Sequence, residues 1–132
     1  MFNKLKVFAL SGAVAAAASV AAAAPTGVAH AAAYNGACGS GYSVIDSLGL
    51  SNAGAVYLSL NNSAGKICAV TIRNTPGTGP MGAEIRLPGE VISEHGSYRL
   101  YAGPVYAPLP AEGCLEWGGW IGNVSAWKMF CV

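Results

Sequence analysis

Three groups of side chains in this sequence are of types that could do chemistry. The first is the four cysteines, Cys38, Cys68, Cys114 and Cys131. The second is His95 with the carboxylates Glu112 and Glu116, which flank Cys114. The third is aromatic: Trp117 and Trp120 around Gly118-Gly119, with Tyr101 and Tyr106 a short way upstream. Thiols and an imidazole together can hold zinc, an imidazole and carboxylates can move protons, and flat rings can stack on a ligand.

The first two chemistries find little support in the spacing. No Cys-x-x-Cys occurs, and His30 falls in a segment expected to be removed, which leaves His95 as the one histidine of the working domain. No metal and no cofactor is expected. Neither Gly-x-Ser-x-Gly, His-Glu-x-x-His nor a phosphate-cradling loop is present. His95 lies in Ser93-Glu94-His95-Gly96-Ser97, which reads as a polar turn. Glu112 and Glu116 read as solvent-facing loop and strand positions. No catalytic residue is therefore assigned, and an enzyme is not expected.

The segment set aside is the N-terminus. Lys4 and Lys6 precede a run from Val7 to Ala24 without charge, and Ala29-His30-Ala31 offers small residues at the positions a signal peptidase reads. We read 1–31 as a secretory signal peptide, cleaved after Ala31 or Ala33, and 32–132 as a single secreted β domain. The alanine-rich run raises the mean hydropathy without implying a membrane span, so no membrane contact is expected after cleavage. Without Lys4 and Lys6, five basic residues face six acidic ones. A nearly neutral chain with scattered charge has no footprint for nucleic acid.

About 100 residues make one domain with a thin stability margin. In an exported chain an even number of cysteines reads as disulfides, here two. Turn signals recur about every 8–12 residues, at Asn62-Ser63-Ala64-Gly65, Pro76-Gly77, Pro88-Gly89, His95-Gly96 and Gly118-Gly119. The expected fold is all-β, a small single-domain antiparallel β-sandwich or barrel with two disulfides.

The clearest hairpin runs Ala55 to Leu60 and returns through Ile67 to Ile72. A three-residue loop, Ser63-Ala64-Gly65, would put glycine at a left-handed position. That register pairs Leu60 with Cys68, Leu58 with Val70 and Val56 with Ile72, and turns Cys68 inward. Ala83 to Leu87 alternates with Ile85 and Leu87 inside, and a strand over Ser97 to Ala102 would set Tyr98, Leu100 and Ala102 on one face. Tyr42 to Ile45 suits a short first strand and Val124 to Val132 the last, with Trp127, Met129 and Cys131 on one side. This layout favours Cys38–Cys68, tying a glycine-rich arm to the central hairpin, and Cys114–Cys131, closing the last two strands.

Two registers compete for that closing hairpin. A turn at Gly118-Gly119 would set Trp117 against Trp120 and strand Cys131 far from Cys114. A turn within Trp120 to Asn123 brings Cys114 opposite Cys131, and is preferred. It puts Trp117 in the core or against the disulfide and Trp120 at a loop tip, the better candidate for contact. Trp120, Trp117, Tyr101 and Tyr106 together form the possible binding surface, although burial logic favours the core for Trp117 and Trp127. The stretch Pro104 to Pro110 is the best candidate for an exposed inhibitory loop.

With Tyr34-Asn35-Gly36-Ala37-Cys38-Gly39-Ser40-Gly41-Tyr42, Gly65 to Arg73, Tyr101 to Tyr106 and Cys114 to Gly119 in order, the chain resembles the spore-associated protein A family. These are small secreted proteins of spore-forming filamentous actinobacteria. The resemblance implies export and association with spores or aerial growth, with spore-envelope or cell-wall components as partners. It carries over no catalytic residue. The expected role is a non-enzymatic spore-associated or cell-surface structural protein, with a small binding module using exposed aromatics as the alternative.

Overall fold

The computed structural model describes residues 33–132; the signal peptide expected over 1–31 lies outside the described residues. Eight strands run in chain order: β1 (Ser43–Leu50), β2 (Gly54–Asn61), β3 (Lys66–Arg73), β4 (Pro80–Leu87), β5 (Glu90–Ser97), β6 (Tyr101–Pro108), β7 (Cys114–Ile121) and β8 (Val124–Cys131). They form two four-stranded antiparallel sheets, β1-β2-β3-β6 and β5-β4-β7-β8, stacked as a sandwich rather than closed as a barrel. Cys38 is bonded to Cys68 and Cys114 to Cys131.

The shared core follows from alternation. Val56, Leu58, Ile67 and Ala69 point in from the first sheet, and Met81, Ala83, Ile85, Leu115, Trp117 and Ile121 from the second. Leu87 packs at its margin. Each inward residue is followed by one on the opposite face, the period of a strand.

The β2–β3 hairpin departs from the expected register by one residue. Asn61 pairs with Lys66, Ser59 with Cys68, Tyr57 with Val70 and Val56 with Thr71. The loop holds four residues, because the Asn61 side-chain oxygen accepts from the Ala64 N–H at 3.0 Å and the Asn62 carbonyl from the Gly65 N–H at 3.2 Å. Gly65 is left-handed, at φ +62°. A one-residue slip exchanges the faces of a strand. Cys68 therefore points away from the sandwich core. With Val70 and Ile72 it builds a second apolar cluster on the outside of the sheet, roofed by Tyr34, Ala37, Cys38 and Tyr42 of the arm.

Three other expectations change. Ser93 to Ser97 is no turn but the end of β5, where His95 pairs with Gly82 of β4. The strand expected over Ser97 to Ala102 is broken: β5 stops at Ser97, Tyr98 and Leu100 lie in the connection, and Ala102 is buried in β6. Pro104 to Pro108 is no free loop either, since β6 pairs with β3 from Tyr101↔Ile72 to Pro108↔Lys66. Prolines fit there because β6 is an edge strand, with one side free of ladder bonds.

Candidate binding surface

The closing hairpin positions the site. Its register sets Cys114 opposite Cys131 and Ile121 opposite Val124, with the chain reversing at Gly122-Asn123. Gly122 has φ +59°, the left-handed first position of a two-residue hairpin turn. Gly118-Gly119 thus sits in mid-strand. Odd positions of β7 point to the core, so Leu115, Trp117 and Ile121 are buried. Glu116, Gly118 and Trp120 face outward, beside Ser125, Trp127 and Met129 of β8.

Each of the two glycines has its own task. A Cβ on Gly118 would lie 2.5 Å from Cε3 of Trp127 and 2.1 Å from the Ala126 carbonyl oxygen. The Trp127 ring therefore rests on bare backbone. A Cβ on Gly119, on the inner side, would lie 2.1 Å from the Thr71 hydroxyl. One glycine admits a ring from outside and the other a hydroxyl from inside.

A third glycine extends the surface. His95 on β5 and Trp120 on β7 flank β4, two strand spacings or roughly 10 Å apart along the sheet. Their ring centroids nevertheless approach to 5.9 Å. Between them lies Gly82, whose added Cβ would fall 2.3 Å from Cζ2 of Trp120. With no side chain on β4 at that point, the indole leans over the strand toward the imidazole. Trp120 lies 6.2 Å from Trp127 on the other side. His95, Trp120 and Trp127 form a row across the strands, with successive planes turned by 38° and 39°.

Charged groups line one flank of the row. Arg86 of β4 binds Glu84 on its own strand and Glu116, its cross-strand partner on β7, at 3.0 Å. Its guanidinium carbon stands 4.0 Å from the Trp127 ring centroid. The hydrogen bond to Glu84 comes first in holding Arg86 above the ordinary guanidinium range, with desolvation opposing it and Glu116 assisting. Two carboxylates and one guanidinium leave this flank net negative. Past His95 on the same face of β5, Ser97 borders a shallow cleft of about 310 Å³ between 76–78 and 97–99.

The aromatic set expected from the sequence is not assembled as expected. Trp117 is fully buried in the core and cannot touch a ligand. Trp120 is half-buried in a strand, not at a loop tip. Tyr101 and Tyr106 lie on the outside of the other sheet, across the sandwich from Trp120. Tyr106 donates its hydroxyl to the Cys38 carbonyl at 2.9 Å and packs 5.6 Å from Tyr42, so it clamps the arm. Burial, followed by Tyr42 and Tyr34, pushes its phenol up, which keeps it a donor.

Glu112 is exposed in the loop before β7, whereas Glu116 is bound to Arg86, so the two are not a working pair. The adjacent carboxylates are instead Glu84 and Glu116. Sequence reading missed Trp127, His95, Gly82, Glu84 and Arg86 as one surface. The alternation Glu84-Ile85-Arg86 was visible, whereas Trp127, expected in the core, lies half-buried on the outer face of β8 over Gly118; only the order β5-β4-β7-β8 brings these residues together. Among the described residues no three His, Cys, Asp or Glu side chains form a group able to hold a metal ion.

The chain is 52% identical over 101 residues to spore-associated protein A of Streptomyces coelicolor, across 74% of this chain. It spans 64% of the length of that relative. No family model and no solved structure matches the chain.

Proposed function

The chain belongs to the spore-associated protein A family, and from that premise we propose that it is an exported, non-enzymatic protein that attaches to the spore or cell surface by contact. One observation carries the reading. The four cysteines and the adjacent carboxylates are tied up in bonds, while the ring row lies on an outer face. All four cysteines are bridged, and Glu84 and Glu116 share one guanidinium. His95, Trp120 and Trp127 occupy the outer face of a sheet whose other side is already packed. Such a surface contributes adhesion rather than bond-making. A purified mature domain added to washed spores and to vegetative mycelium should be retained on the spores. A protein that stays in the supernatant, or one whose turnover of a substrate disappears in Glu84→Gln, would refute the reading.

A further inference from the structure

We infer that the row His95–Trp120–Trp127 is a binding strip for a neutral, extended polysaccharide chain running across the strands. The inference rests on the contact-surface reading above and names the ligand class for it.

The geometry is that of a track and not of a pocket. The rings follow one another at 5.9 and 6.2 Å, neighbouring planes tilted by 38° and 39°. A linear polymer with successive rings can meet such a row, whereas a single small molecule would meet one ring only. The indoles are laid down instead of standing on edge. Trp120 has its inner side on Gly82 and Trp127 rests on Gly118, with glycines as the floor because a Cβ would collide at 2.3 and 2.5 Å. Trp120, half-buried and resting on backbone, offers a ring face outward, and ring faces stack on apolar C–H surfaces; the Trp127 ring carries the Arg86 guanidinium over it at 4.0 Å and forms the polar end of the row.

The flanks supply the complementary chemistry. A sugar ring has an apolar C–H face and a rim of hydroxyls. Arg86 lies over the Trp127 ring with Glu84 and Glu116 bound to it, Ser125 is the cross-strand partner of Trp120, and Ser93 and Ser97 share the outer face of β5 with His95. These groups donate to and accept from hydroxyls. The charge decides between ring-bearing polymers. Nucleic-acid bases also stack on aromatics, but their phosphates need a cationic groove. Here carboxylates outnumber the guanidinium, which repels phosphate and uronate alike. An uncharged glycan meets no such penalty.

The test uses the mature domain with cellohexaose and chitohexaose as neutral probes and polygalacturonate as the anionic one, read by calorimetry and tryptophan emission. At least one neutral hexasaccharide should bind, and polygalacturonate should not. Trp120→Ala should weaken binding about tenfold, the loss of one stacked ring. Gly82→Ala keeps the indole but lifts it off the strand, and should weaken binding with the melting transition still cooperative. If Trp120→Ala fails to fold, Trp120→Phe and Gly82→Ala carry the comparison. Absence of binding by both neutral probes, binding undiminished in these variants, or preference for polygalacturonate would overturn the inference. Spore retention separates the two proposals. Wild-type protein held on spores without affinity for either hexasaccharide sinks the glycan strip alone. Hexasaccharide binding without spore retention sinks the spore-surface reading alone.

Discussion

The hydroxyl of Thr71, in the middle of one sheet, donates to the carbonyl of Gly82 in the other, 2.8 Å away through the buried interior. It reaches across the space that Gly119 leaves open. The bond fixes β4 from below at the residue on which Trp120 rests from above, so core and surface are coupled at one carbonyl. Thr71→Val keeps the shape but removes the hydroxyl's bond to that oxygen, at a cost of about 0.5–1.5 kcal/mol. Urea unfolding should show the loss as a lower midpoint at unchanged slope.

Gly119→Ala tests the same coupling from the other side. Its Cβ would meet the Thr71 hydroxyl at 2.1 Å and the Gly82 carbonyl oxygen at 2.5 Å. Neither is the end of a flexible chain, so overpacking should cost about 1–3 kcal/mol or more. Gly82→Ala meets only the six-membered ring of the Trp120 indole, a side chain that can move outward. It should cost less than Gly119→Ala in the same denaturation series, with a shift of Trp120 emission toward that of a wetter ring. Equal losses in the two variants would contradict the different roles assigned to the inner and outer glycines.

What the sequence made legible depended on whether something decided between registers. For β7–β8 a covalent constraint did: only one turn position brings Cys114 opposite Cys131. For β2–β3 nothing did, because Ile67-Cys68-Ala69-Val70-Thr71-Ile72 is apolar at both parities and either register buries it. The turn settled it, through an Asn61 side chain whose capping role has no distinctive pattern. The strand holding His95 was missed because it is an edge strand with one half-buried apolar residue, Ile92, in a polar run. The strand holding Tyr106 was missed because Gly103, Pro104 and Pro108 argue against a strand unless its edge position is known. The ring row is further from the sequence still. It joins residues on β5, β4, β7 and β8 whose adjacency exists only once the sheet order does.

A salt bridge ties the two sheets at one edge, where Lys128 of β8 donates to Asp46 of β1 at 2.7 Å. The Lys128 hydrogen bond comes first in holding the Asp46 carboxyl below its ordinary range, with the Ser47 N–H assisting and partial burial opposing. A carboxylate depressed on folding stabilises the native state above its unfolded value near pH ~4, and loses that contribution as pH falls through the folded value. Both side chains are substantially exposed, so the pair is worth at most about 1 kcal/mol. Asp46→Asn should be less stable than the parent at pH 7 and indistinguishable from it at the acid end of a pH series below that window. A gap that widened toward acid would have the wrong sign.

The two disulfides should fail differently. Cys114–Cys131 joins directly opposed residues of one hairpin with a separation of 17, and both residues are exposed. Cys38–Cys68 spans 30 residues and lies under the arm, with Cys68 wholly buried. Chain entropy puts each at about 3–4 kcal/mol, the longer loop slightly higher, against a total of about 5–15 kcal/mol. The entropy is not the whole difference. Losing Cys38–Cys68 leaves the arm held by Tyr34, Tyr42 and the Tyr106 hydroxyl on the Cys38 carbonyl, over an apolar patch of Val70 and Ile72. Replacing both cysteines of that pair with alanine should therefore open the arm while the sandwich stands. Limited proteolysis should cut first between Tyr34 and Tyr42, before any loss of the β-sheet signal. The Cys114→Ala, Cys131→Ala double variant should lower the unfolding midpoint without creating that cut. Cleavage of the arm at equal rates in both variants would mean that the tyrosine clamp, and not the bond, holds it in place.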